Sequence, residues 1–297
     1  MTKNQKAEHI AIIGAGVSGI TTGILLQEHG FEVTIYAEQE FSKNLINPKF
    51  ASLYPAASII PHSVSHYDLI RLFKESQQFF NHLYEQKFLG ITKHRHFELF
   101  SYRINKPDYL IGMHNVNKVS EEEWTPSHPS ITTPNGWAYD CFFTDWNTYF
   151  NQLIQLFKRN NGSIIKRKVD LNLLNNINHN IIINCSGAGS NDLLEETNTP
   201  LIVLGHLLKI KTSKPMNSPL SKPISYNFSP GIDIYKNYTN DPLDVYFYPR
   251  STDWVLGGSR FIGTLDENGQ WAPDSATSDV FPREILDLNK EILKTTL

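Results

Sequence analysis

His9 to Glu38 read HIAIIGAGVSGITTGILLQEHGFEVTIYAE: a short apolar run, a glycine-rich turn, a helical pattern, and a second β-rich run that ends in an acid. Ile10 to Ile13 have the length and composition of a buried strand. Gly14, Gly16 and Gly19 follow in the spacing G-x-G-x-x-G, and Val17, Ile20, Ile24 and Leu25 then recur at helical spacing. Gly30 is placed to end that helix, and Val33 to Tyr36 form the next strand. Glu38 comes about twenty residues after Gly19, the interval at which an acid meets a ribose.

Each residue type has its own physical reason. Gly14 permits a tight turn, Gly16 lets the backbone approach a pyrophosphate, and Gly19 allows a helix to pack closely on a sheet. Val17 and Ser18 open the helix, whose amino end offers N–H groups and a positive dipole to phosphates. Strand, turn, helix, strand and acid all sit where dinucleotide binding requires them. An ordinary βαβ packing turn is the bland alternative. The turn by itself does not choose between NAD and FAD.

A chain of 297 residues can bury a large core, and at roughly 150 residues per domain it is expected to form two. Hydrophobic residues at 40% and aromatic residues at 12% are those of an ordinary folded protein. The net charge of -3, from 27 basic and 30 acidic side chains, points to neither nucleic acid nor an anionic membrane surface. Cys141 and Cys185 are too few for a disulfide framework, which fits a reducing compartment. The polar start MTKNQKAEH is not a signal peptide, and no apolar stretch is long enough to span a bilayer. A cytoplasmic location is therefore expected.

Beyond Glu38, the segment FASLYPAASIIPH (residues 50 to 62) sets small residues between two prolines. It reads either as a loop packed against a cofactor or as a buried crossing of two chains. Tyr67 to Tyr84 show an amphipathic helix with Ile70, Phe73, Phe80 and Leu83 on one face. Leu89 to Met113 are strand-like; His94 and His96 share a strand face, but no third ligand is suggested, so no metal site is assigned. Thr144 is a candidate cap for a helix over residues 145 to 159, with Tyr149, Leu153, Leu156 and Phe157 on its core face. A strand at residues 163 to 169 and an asparagine-rich loop follow. The run IIINC (residues 181 to 185) then ends in small residues, which can lie beside the first glycine turn at the carboxyl ends of an open sheet. Val245 to Tyr248 and Trp254 to Leu256 read as a hairpin joined by PRSTD. Residues 282 to 297 are an amphipathic helix.

Taken together, these pieces resemble the D-amino-acid oxidase family of FAD-dependent oxidoreductases, the group that also takes in glycine and sarcosine oxidases. GAGVSG begins the match, and Tyr36, Ala37 and Glu38 resemble the tyrosine, alanine and acid at the ribose. PAASIIPH sits where the family has a small-residue loop beside the flavin ring, which assigns Ala57, Ser58 and Ile59 to cofactor contact. Val169 resembles a valine at the adenine. The run NCSG resembles N-C-T-G at the flavin and adds Ser186 and Gly187, and YFYPR to VLGGSR resembles the hairpin over the substrate pocket.

The resemblance implies an α/β fold, with a Rossmann-like FAD-binding domain of parallel sheet and flanking helices beside an α+β substrate domain with a largely antiparallel sheet. Residues 1–62 and 135–204 are expected in the first, 63–134 and 205–275 in the second, and 276–297 as a terminal helix returning towards the FAD domain. It implies FAD as cofactor and hydride removal from the α-carbon of an amine or amino acid, with oxygen or another acceptor reoxidising the flavin and peroxide as by-product. No acid/base triad is expected, and the G-x-S-x-G elbow is absent. Tyr246 falls on the family tyrosine that holds the substrate carboxylate; a cross-strand aromatic is its bland reading. Arg260 is a cation placed to attract a carboxylate, or else a solvated surface charge. The family tyrosine four residues before Tyr246 is Pro242 here, with Tyr235 and Tyr238 in the same loop.

The family's arginine-proline strand and glycine-rich turn after the last helix have no counterpart in this sequence. Two further readings therefore stand: a truncated or split relative that binds nucleotide but is inactive alone, and an NAD(P)-linked reductase. A small-molecule amine, an electron acceptor, and either a separate carboxy-terminal piece or a homo-oligomer complete the expected partners, with no nucleic acid and no membrane among them.

Overall fold

A strand buried on both faces needs apolar side chains at successive positions, and Ile10 to Ile13 supply them. The computed structural model describes residues 8–42, 47, 50–55, 57–62, 64–195, 202–212, 220, 222–231, 244–258, 261–265, 271–272 and 282–296. Arg260, Pro242, Tyr235 and Tyr238 lie outside them.

The elements up to the middle of the chain are β1 (His9–Ile13), α1 (Val17–Glu28), β2 (Glu32–Ala37), α2 (Leu69–Glu85), β3 (Ile91–Phe100), β4 (His114–Lys118), β5 (Asn135–Thr144), α3 (Trp146–Arg159), β6 (Ser163–Lys166), α4 (Leu171–Asn176), β7 (Ile181–Asn184) and α5 (Ser190–Leu194). They continue as β8 (Ile202–Leu204), β9 (Leu207–Lys211), β10 (Ile224–Ser229), β11 (Val245–Pro249), β12 (Asp253–Gly257), β13 (Phe261–Leu265), β14 (Trp271–Ala272) and α6 (Arg283–Thr296). Two compact units result. One holds Met1–Pro55, Asn147–Leu201 and Thr264–Trp271; the other holds Ala56–Trp146, Ile202–Gly263 and Ala272–Leu297.

The first unit is built on a parallel sheet of order β6-β2-β1-β7. Helix α1 lies close to α3, because a Cβ at Gly23 would come within 2.7 Å of the Phe157 ring. Gln27 Nε2 then donates to the carbonyls of Phe157 and Asn160. Gly30, at φ +85°, ends α1 as its position implies. The asparagine-rich segment, read from sequence as loop, contains α4. Asp170 makes the difference, since its carboxylate accepts from the Leu173 amide at 2.7 Å and caps a helical turn.

The second unit carries a seven-stranded sheet of order β4-β5-β3-β10-β11-β12-β9, antiparallel except where β10 runs parallel to β3. One face is apolar. Phe97, Leu99, Tyr226, Phe228, Val245, Phe247 and Leu256 pack there with Ile285, Leu288 and Ile292 of α6. The other face carries His94, His96, Glu98, Ser225, Asn227 and Tyr248, all buried.

Residues 135 to 144, expected in the nucleotide domain, form β5, which pairs with β3 along its whole length. The terminal helix α6 packs on β11 and β12, where its apolar stripe finds an apolar sheet face. Helix α3 begins at Trp146, one residue later than expected; the Thr144 hydroxyl donates to Ala57 O at 3.2 Å, while Asp145 accepts from the Ser251 amide at 3.0 Å and from the Ser251 hydroxyl. Among the described residues no helix is long and apolar enough to cross a membrane.

Candidate functional site

In the first unit the glycine turn is held from two sides. The Gly14 amide donates to Tyr36 O and the Cys185 amide to Ile13 O, both at 2.8 Å, so the ends of β2 and β7 clasp the end of β1. Gly14 has φ +104°, and a Cβ there would lie 2.4 Å from Cys185 O. A side chain at Gly19 would lie 1.9 Å from Gly14 O. Both positions therefore admit no larger residue without moving backbone.

Gly16 stands at the N-cap of α1 with no side-chain cap, and the first turn holds no acid. The Val17 amide donates to Ser52 Oγ at 3.0 Å. The amides of exposed Ser18 and buried Gly19 have no carbonyl one turn back within the helix, and they point with its dipole out of the amino end.

The turn after β7 lies against this one, since a Cβ on Gly14 would also meet Ser186 Cα at 3.1 Å. Asn184 shapes that turn: its Oδ1 accepts from the Ser186 amide at 3.1 Å and hydroxyl at 2.6 Å, and its Nδ2 donates to Ser190 Oγ at 2.8 Å. Gly187, at φ +61°, faces open space, with nothing within 4 Å of a Cβ built on it. Glu38 is exposed just beyond β2, and half-buried Val169 follows β6. These groups thus gather at the carboxyl ends of the strands, where an open α/β sheet leaves room for a ligand. The glycine cradle, uncapped helix end and exposed acid fit the pyrophosphate and ribose of a dinucleotide.

In the second unit Ala57, Ser58 and Ile59 run alongside β5. The Ile59 amide donates to Phe142 O at 3.0 Å and the Thr144 amide to Ala57 O at 2.9 Å, with a bridge between Ser58 and Phe143. Ala57 takes φ +88°, a strained value for a residue with a side chain, which these bonds hold in place. Tyr246 is half-buried on β11, its ring laid over Gly257 and 5.2 Å from the ring of Tyr248. A Cβ at Gly257 would lie 2.2 Å from the Tyr246 hydroxyl.

The sequence reading missed a polar cluster on this face, in which buried Glu98, Asn227 and Tyr248 meet half-buried Ser58 and Tyr109 and exposed His62. Glu98 Oε1 accepts from His62 Nε2, and Glu98 Oε2 accepts from the Tyr109 hydroxyl at 2.5 Å. Asn227 Nδ2 meets His62 Nδ1 at 3.2 Å, Tyr248 donates to Asn227 Oδ1 at 2.9 Å, and the Ser58 hydroxyl reaches Tyr248 at 3.3 Å. Burial pushes the Glu98 carboxyl up, but its hydrogen bonds from His62 and Tyr109 help to outweigh that and hold it below its usual value. Burial pushes Tyr109 and Tyr248 up. His94 and His96 are pushed down to about 3, chiefly by burial, so both rings are neutral. A strand face alternating histidine, histidine and acid was the one sequence signal for this cluster. Its partners stand far away along the chain.

Comparison with known proteins completes the picture. A family model described as FAD dependent oxidoreductase, abbreviated DAO, matches residues 9–295. A curated relative, "D-amino-acid oxidase" from Rubrobacter xylanophilus, is 22% identical over 276 residues, covering 92% of this chain and 74% of its own. Among solved structures, iminodiacetate oxidase from Chelativorans sp. BNC1 superposes with a TM-score of 0.62 at 16% identity, covering 97% of this chain and 78% of that one. Glycine oxidase from Geobacillus kaustophilus gives 0.59 at 14% identity, covering 88% and 74%. At such identities the superpositions establish a shared fold.

Proposed function

The chain belongs to the DAO family of FAD-dependent oxidoreductases, and from that premise we propose that it oxidises the C–N bond of an amino acid or a related amine. The observation that carries the cofactor half is the Gly14 turn, clasped between the ends of β2 and β7 with no room for a side chain. The substrate half is supported by relatives named as oxidases of D-amino acids, glycine and iminodiacetate. The NAD(P)-linked alternative gives way to the family match.

On this reading Gly14, Gly16, Val17, Ser18 and Gly19 hold the pyrophosphate through backbone amides, and Glu38 takes the ribose hydroxyls. Val169 meets the adenine, and Ser186 and Gly187 lie along the cofactor. Ala57, Ser58 and Ile59 belong to the flavin contact. FAD, when bound, supplies the acceptor for the hydride leaving the α-carbon, and peroxide follows where oxygen is the final acceptor. The protein's part is orientation. Tyr246 offers its hydroxyl to the substrate carboxylate, and Arg260 adds a cation that draws the anion in.

Visible absorption of the purified protein is the first test. A flavin spectrum that bleaches anaerobically with an amino acid, and returns with peroxide on admission of air, is expected. Colourless protein that takes up no added FAD would overturn the reading. Gly14→Ala is expected to weaken FAD binding at least about tenfold, ~1.4 kcal/mol, through strain at a positive φ; titration followed by flavin fluorescence checks it.

A further inference from the structure

A serine hydroxyl ordinarily rotates to suit its partner, giving a proton to one ligand and taking one from the next. Ser58 does not have that freedom, and the reason begins far from it, at Glu98. Glu98 is 1% exposed, and as a carboxylate it can only accept. Facing it, His62 Nε2 must carry the ring proton. The Asn227 amide N–H points at His62 Nδ1, 3.2 Å away, so that nitrogen acts as the acceptor. With its NH2 turned to His62, Asn227 presents its oxygen to the Tyr248 hydroxyl, 2.9 Å away. The proton of Tyr248 is committed there, so its oxygen can only accept from Ser58, at 3.3 Å. Each bond fixes the direction of the next, and the burial of Tyr248 and Asn227 excludes the water that would otherwise reset it.

We propose that this chain of hydrogen bonds makes Ser58 an obligate acceptor, poised to receive an N–H from the ligand bound against the loop at residues 57–59. The inference rests on the amine-oxidising reading above and narrows it. The group facing Ser58 is a nitrogen-borne donor, and a carboxylate or carbonyl oxygen is turned away because it would meet lone pairs. Two sources carry such an N–H, the substrate amine and the flavin ring. His62, Asn227 and Tyr248 are positioning residues in this scheme; none needs to touch the ligand.

The test uses the full-length holoenzyme and four variants. NMR of ring-labelled histidines, with His62 assigned from its loss in His62→Asn, is expected to show the proton on Nε2; a protonated Nδ1 overturns the proposal. Ser58→Ala removes the acceptor, and Tyr248→Phe frees the Ser58 hydroxyl to rotate. If the substrate amine is the donor, Ser58→Ala raises KM about tenfold, ~1.4 kcal/mol. The flavin spectrum and the affinity for a same-shaped carboxylic acid without the amine then stay as in wild type. If the flavin ring is the donor, the visible band and FAD dissociation constant change before any substrate is added. His62→Asn, whose side-chain oxygen stands where Nδ1 was, is expected to retain wild-type values, and His62→Gln to resemble Tyr248→Phe. Ser58→Ala and Tyr248→Phe that both stay within about twofold of wild type in KM, FAD affinity and spectrum would overturn the proposal, since even one neutral hydrogen bond is worth more than that. Wild-type protein that takes up no FAD overturns the oxidase reading and the ligand half of this one. The NMR arm still decides the order of the hydrogen bonds.

Discussion

The two faces of the seven-stranded sheet are made from the same strands and serve opposite ends. Phe97, Leu99, Tyr226, Phe228 and Phe247 point one way and are sealed by α6. His96, Glu98, Ser225 and Asn227, their immediate neighbours in the chain, point the other way and are equally buried. A β-strand changes face at every residue, so one short segment can serve both a dry core and a wired polar surface. The difference teaches that burial alone does not tell stability from function. On the apolar face burial contributes free energy without regard to direction, whereas on the polar face nearly all of its value lies in orientation, because each hydrogen bond made replaces one to water.

The comparison breaks first where packing dominates. Phe247→Ala removes a fully buried ring between β11 and α6, and is expected to lower unfolding free energy by about 3–5 kcal/mol in a denaturant titration. A loss no greater than that of a surface substitution would mean that α6 does not seal this face. Glu98→Ala, on the other face, leaves the His62 and Tyr109 donors without their acceptor, and about 1–3 kcal/mol is expected from the same measurement.

Acid should separate the two faces further. His94 and His96 titrate near 3 when folded, against 6.5 when free. The unfolded chain therefore binds more protons in that interval, and stability falls as pH drops from 6.5 towards 3. Glu98, held below 4.5, contributes fully above 4.5 and loses its contribution as pH falls through its folded value. Glu98→Gln is accordingly expected to flatten the decline below pH 4.5 and to leave the decline between 6.5 and 4.5 intact. Unfolding midpoints measured across that range check it, and a flat wild-type profile would contradict the neutral, buried histidines.

The smallest effect sharpens the contrast from the apolar side. Asn289 of α6 is a fully buried polar inclusion there, accepting from the Tyr226 hydroxyl at 3.1 Å and donating to Ile285 O at 3.2 Å. Asn289→Leu leaves Tyr226 unpaired, a cost of about 1 kcal/mol that added apolar packing offsets in part. Thermal unfolding reads the balance.

Local pattern carried most of the fold. The βαβ unit from His9 to Glu38, the hairpin of β11 and β12, and helices α2, α3 and α6 were legible because their signals lie within a few residues of one another. The pairing of residues 135 to 144 with β3 was not, since nothing in a strand names its partner across a long separation. The sheet that α6 covers was not legible for the same reason: an apolar stripe states that something must cover it and leaves open which sheet. At the candidate site the glycines were readable because their geometry is local. His62, Glu98 and Asn227 were not, because they are brought together by register between β3 and β10 and by a loop crossing over them. Arg260 lies outside the described residues, and its role remains a proposal.

Gly257 has a meaning that emerges only across the strand. The Tyr246 ring occupies the volume in which any side chain at 257 would sit, so the aim of that hydroxyl is written at a position eleven residues away from it. Anyone wishing to re-aim Tyr246 can leave the tyrosine alone and vary its neighbour, and a homologue with an identical tyrosine but a larger residue in that place should hold its ring in a different orientation.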